Sequence, residues 1–146
     1  MSTPVEDTPK KVIGNNYTKE EIVKIGFAQR HFVCAFGINL LTNIIGYNII
    51  GSNADYSLKT IFLFISIITI SILLLFAYKM AKALKEHSVV AVVTSVLILI
   101  PLVGIAVMCI YSSRATGILK QAGFSVGLLG VAKKKLLEFA KSENND

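Results

Sequence analysis

Three long stretches without an Asp, Glu, Lys or Arg, residues 32–50, 60–78 and 89–111, take up most of the middle of this chain. A helix rises 1.5 Å per residue and a bilayer's hydrocarbon core is roughly 30 Å thick, so each stretch is long enough for one crossing. Backbone amides have no water to bond in hydrocarbon, which leaves the helix as the element such stretches can form.

Composition agrees: 53% of residues are hydrophobic and 16% charged, where a soluble domain carries about 25% charge. The charges sit in the flanks, as expected where a charge at mid-membrane costs at least ~2.5–3.5 kcal/mol. Residues 1–18 read as a flexible tail containing Pro4 and Pro9. The first 30 residues lack the basic start and apolar run of a cleaved signal, so the first stretch is expected to act as its own targeting signal. Cys34 and Cys109 both fall inside apolar stretches and read as small core hydrophobes.

The expected fold is all-α and integral to the membrane. It has a membrane domain over 19–111, an amphipathic region over 112–141 and a tail at 142–146. Within the domain, a lead-in helix over 19–30 precedes spans at 32–50, 60–78 and 89–111. Thr18 and Glu21 have capping-box spacing, and Ile22, Ile25 and Gln29 share one face. That face suits a lead-in lying along the membrane surface before the chain turns in at Arg30. The first connector, 51–59, is short and rich in turn residues, so the first two spans should be antiparallel neighbours. The second, 79–88, contains helix formers and no breaker. The second helix should therefore continue outward, with Lys79, Lys82 and Lys85 snorkelling, to a turn at His87 or Ser88.

Beyond Tyr111, Ala115, Ile118, Leu119 and Ala122 mark a short amphipathic helix. Gly123 suits its cap, and Gly127 and Gly130 suit a turn. The closing segment carries Lys133, Lys134 and Lys135 ahead of Leu136, Leu137 and Phe139. It fits either an anionic membrane surface or packing against the protein's own connectors.

Orientation depends on Pro101 and Gly104, which interrupt the third stretch. A kinked full span is the usual outcome, because neighbouring helices and water satisfy the freed carbonyl. It would put the basic carboxyl tail opposite Lys79, Lys82 and Lys85. A sharp break would instead make two short arms that dip in and return, gathering the basic flanks on one side; insertion in both orientations is the remaining alternative. Basic residues beside the spans favour a cytoplasmic amino end.

The first span is the least oily. Asn39, Thr42, Asn43, Gly46 and Tyr47 lie mostly along one face, which suits hydrogen bonding and close approach between helices or subunits. A polar lining for a solute path is the other reading, but such paths usually carry a carboxylate. The chain has two histidines, no membrane-depth acid and none of the common catalytic motifs, so the parts for acid–base or metal chemistry are missing and no cofactor is expected. The net charge of +6 is split around the spans, which suits lipid headgroups better than nucleic acid.

The run Arg114-Ala-Thr-Gly-Ile-Leu-Lys-Gln-Ala-Gly123-Phe-Ser-Val-Gly127-Leu-Leu-Gly130 resembles the ending of a group of small bacterial multi-span membrane proteins. In these, a Pro-containing last span runs into Ala-Thr-x-x-Leu-x-x-Ala-Gly-x-x-Val-Gly-Leu-x-Gly. Gln29-Arg30 and the Ala81–Leu84 element extend the likeness, while Ser112-Ser113 and the Lys-rich end depart from it. The resemblance implies architecture and a bacterial cytoplasmic membrane, not an activity. The expected role is non-catalytic: helix–helix interaction with a membrane partner, either another protein or a second copy, of assembly, regulatory or toxin-immunity type. A self-assembling pore, holin-like protein or small transporter is the alternative.

Overall fold

The computed structural model describes residues 17–51, 53, 55–127 and 130–141; the proposed tails fall outside this range except for Tyr17 and Thr18. Five α-helices follow in order: α1 (Lys19–Ile50), α2 (Tyr56–Ala83), α3 (Ser88–Leu97), α4 (Pro101–Gln121) and α5 (Lys133–Lys141). The all-α expectation is met. Three of the helices, α1, α2 and α4, are long and apolar enough to cross a membrane.

α1 corrects the expected surface lead-in. Its 32 residues form one helix, about 48 Å long, that passes Arg30 without a break. No Pro or Gly pair stands near Arg30 to bend it, and Ile22, Ile25 and Gln29 continue the buried face on which Phe32 and Ala35 follow. The capping box closes as expected: Thr18 Oγ1 accepts from the Glu21 amide, and the Glu21 carboxylate accepts from the Thr18 amide at 2.8 Å.

α2 returns antiparallel to α1. Phe62 sits over Gly46 near one end, His31 stacks on Phe76 at 5.3 Å, and the Tyr17 hydroxyl donates to the Leu84 carbonyl at the other end. The helix stops at Ala83, where Lys85 takes φ +60° and the Glu86 amide reaches back to the Ala81 carbonyl.

The expected third span is two helices folded back on each other, not one kinked rod. Thr94 Oγ1 of α3 lies 2.6 Å from the Tyr111 hydroxyl of α4, and Arg114 pairs with Glu86 just before α3. In a continuous helix those pairs would stand about 26 and 42 Å apart. The turn works because Pro101 occupies the first turn of α4, where its missing amide costs nothing, and because Gly104 presses against the Ile98 carbonyl. α4 then runs unbroken to Gln121, so the short helix expected after Tyr111 is its second half. Gly123 follows at φ +86°, and Gly127 and Gly130 exchange backbone hydrogen bonds across the expected turn.

The core occupies only one half of the molecule. Ile22, Ile25, Phe32 and Ala35 of α1 meet Leu73, Ala77, Met80 and Ala81 of α2, Ala91 of α3, and Tyr111, Ala115 and Leu119 of α4. Many of these are alanines, as suits helices brought together in lipid by close van der Waals approach. Past Ala35 on α1 and before Leu73 on α2, Gly46 alone is buried among the described residues of these helices. One half thus gathers parts of all five helices, Leu136 of α5 included, and the other is a bare pair. Cys34 and Cys109, expected in the core, are free thiols on outward surfaces of that framework.

Candidate functional site

Gln29 is the polar centre of the packed half. It is 1% exposed, and its Nε2 donates to the Thr116 hydroxyl at 3.0 Å, the Ser112 hydroxyl at 3.2 Å and the Ser112 carbonyl at 3.3 Å. Among the described residues Oε1 has no hydrogen-bond partner, and it faces Gly130, whose φ of +87° suits glycine and where a Cβ would come within 3.3 Å of that oxygen. One side chain therefore ties α1 to α4 and packs against the turn before α5. Its place beside Ile22 and Ile25 was readable from helical spacing; its partners, more than eighty positions away, were not.

The hairpin tip reaches the middle of α1. Ile98 and Ile105 border a cavity of about 170 Å³ together with Phe36, Asn39, Asn43 and Ile70. Asn43 Nδ2 donates to both the carbonyl and the Oδ1 of Asn39 at 2.9 Å, and Thr42 Oγ1 donates to the Ile38 carbonyl. These side chains bond along their own helix, with Asn39 and Asn43 at the cavity and Tyr47 84% exposed beyond it. The sequence-derived polar face is thus split: Gly46 meets Phe62, Pro101 and Gly104 form the hairpin, and Asn39 and Asn43 stand just below its tip.

Charge gathers at the opposite end. Lys85 pairs with Glu21 at 3.0 Å and lies over the Tyr17 ring, while Arg114 pairs with Glu86. The backbone amide of Thr18, and then Lys85, hold the Glu21 carboxyl below its ordinary range. α5 lies on α1, with Leu136 against Gly26 and Phe139 edge-on to Phe124, so packing within the protein is the alternative the structure adopts. Lys133, Lys134 and Lys135 remain exposed. Of the described basic residues, Lys59 alone lies at the other end of the α1–α2 pair.

Between α1 and α2 at the basic end is an open groove of about 610 Å³, lined by Lys24, Phe27, His31, Phe76, Lys79 and Lys82 among others. His31 Nδ1 lies 2.7 Å from the Phe27 carbonyl, an acceptor only, so that nitrogen carries the proton. The Lys79 ammonium sits 5.7 Å from the Phe76 ring centre, and Lys82 donates to Ser88 Oγ at 3.1 Å. Sequence reading placed these lysines at the surface but gave no sign of the aromatic floor between them. Among the described residues, no three His, Cys, Asp or Glu side chains converge as a metal site.

Helix length, apolarity and this segregation of charge define a helical integral membrane protein. Searches among protein-family models, curated proteins and solved structures find no match to the chain.

Proposed function

We propose that this chain is a non-catalytic adaptor of the bacterial cytoplasmic membrane that docks through its α1–α2 pair against another membrane protein of assembly, regulatory or toxin-immunity type. α1 and α2 cross the bilayer, and α3 and the first half of α4 form a re-entrant hairpin. The stretch from Pro101 to Tyr111 extends about 16 Å, half a bilayer, and α4 turns polar from Ser112. With the hairpin returning, the basic flanks other than Lys59 share one side, which the positive-inside rule places in the cytoplasm together with the start of α1 and α5. The resemblance of the chain's ending to small bacterial membrane proteins supports the choice of membrane.

The observation that carries the reading is the vacancy below the hairpin tip. At the level of Asn39 and Asn43, among the described residues, the α1–α2 pair is met only by the hairpin tip (Ile98, Leu99 and Ile105), and the amides stand beside a cavity left open there. In hydrocarbon, such amides gain roughly 0.6–2 kcal/mol by bonding across to another helix. A photoreactive residue at position 43 should cross-link one defined membrane protein in intact membranes, and Asn39→Leu with Asn43→Leu should abolish its co-purification. Recovery of this chain alone, with no cross-link and no effect of either substitution, contradicts the proposal.

A further inference from the structure

We propose that the groove between α1 and α2 at the basic end is a binding site for the anionic headgroup of a glycerophospholipid. The inference rests on the membrane placement proposed above, but not on the docking partner. Three ammonium groups, those of Lys24, Lys79 and Lys82, border the groove, and its floor is made by Phe27, His31 and Phe76. Charge lies toward the helix ends and the aromatic rings toward the apolar stretches, the same polarity a phospholipid has from phosphate to acyl chain. Among the described residues, the ion pairs Glu21–Lys85, Glu86–Arg114 and Lys134–Glu138 at this end use other residues. Lys24 also borders a second hollow, which it shares with Lys19, Glu20 and Val23, so it stands between the groove and the Glu20 carboxylate.

Two of the lysines are already positioned. The Phe76 face holds Lys79 and the Ser88 hydroxyl holds Lys82, both without neutralising the charge, so less ordering is left for the ligand to impose. Lys133, Lys134 and Lys135 offer the same number of lysines on an open helix surface, with Lys134 paired to Glu138 and no groove of aromatic rings among the described residues, and so serve as the internal control. Free phosphate shares the headgroup's charge, but only a lipid uses the aromatic floor.

The test is native mass spectrometry of the full chain in neutral detergent, titrated with phosphatidylglycerol, phosphatidylcholine or inorganic phosphate. One phosphatidylglycerol should bind in preference to phosphatidylcholine, and Lys24→Gln, Lys79→Gln and Lys82→Gln should each weaken it about five-fold, the equivalent of roughly 1 kcal/mol per lysine. The combined Lys133→Gln, Lys134→Gln and Lys135→Gln variant should bind like the parent. Equal losses in both sets, no headgroup preference, or displacement of the lipid by inorganic phosphate overturns the proposal. A photoreactive phosphatidylglycerol on the unmodified protein gives a second readout that needs no variant to fold. Cross-links confined to residues 24–31 and 76–82 support the site, and cross-links spread over α5 or the far half overturn it.

Discussion

The hydroxyls of Thr94 and Tyr111 lie 2.6 Å apart although seventeen positions separate them in sequence. That pair, with Glu86 and Arg114 beyond it, makes the third hydrophobic stretch a hairpin. Reversing one charge, Glu86→Arg or Arg114→Glu, should lower unfolding stability in detergent by about 0.5–1 kcal/mol, the scale of a partly exposed pair, and the double exchange should recover most of it. Strictly additive losses would place the two arms apart.

Gly104 and Gly117 belong to the same helix but should respond oppositely to alanine. A Cβ at 104 would meet the Ile98 carbonyl at 2.5 Å, backbone that yields only by opening the turn, whereas a Cβ at 117 meets nothing within 4 Å. Gly104→Ala should cost about 1–3 kcal/mol. Gly117→Ala should gain up to about 1 kcal/mol from helix propensity. Denaturant titration of both variants checks the contrast, and equal responses would refute the tight turn.

Gln29→Glu keeps size and removes the donors that reach the Ser112 carbonyl. A buried carboxylate in that place should cost more than about 2 kcal/mol at neutral pH. The loss should shrink as the pH falls and the carboxyl takes up a proton. Stability measured from pH 8 to pH 5 tests this, and a variant as stable as the parent at pH 8 would mean that Gln29 is solvated.

Glu21 should make folding acid-sensitive. Its carboxyl is held below the ordinary range by the Thr18 amide and Lys85, so its contribution is present above that range and is lost as pH falls through the lowered value. Glu21→Gln should cost about 1 kcal/mol at pH 7, as loss of a helix cap does. It should cost nothing once the parent's carboxyl is protonated. A constant difference across pH 3–7 would show that the charge plays no part.

What could be read from the sequence followed local rules. Thr18 and Glu21 are three positions apart and close the capping box, Gly123 takes the conformation its cap requires, and uncharged length alone located the apolar parts of α1 and α2, 32–50 and 60–78. The hairpin was harder to read because Pro101 is compatible with a kink or with a new helix start. The choice between them is made by Gly104 against Ile98 and by Glu86 meeting Arg114, contacts that only the folded chain supplies. The continuity of α1 was missed because Arg30 resembles a membrane boundary. A helix crosses such a boundary unbroken when its buried face continues, as it does here from Gln29 to Phe32. Of the candidate site, Asn39, Asn43 and Gly46 were found by composition, while the groove of Lys24 and Phe76 depends on the α1–α2 register, which neither segment encodes alone.

The most direct measurement is the sidedness of three single cysteines, replacing Asn53, Ser88 or Ala140 in a chain carrying Cys34→Ala and Cys109→Ala, probed with a membrane-impermeant thiol reagent in sealed vesicles. A returning hairpin between two crossing helices predicts that positions 88 and 140 are labelled from the same, cytoplasmic side and position 53 from the other. Labelling of position 140 together with position 53 would mean that the third stretch crosses the membrane after all, and would contradict the account.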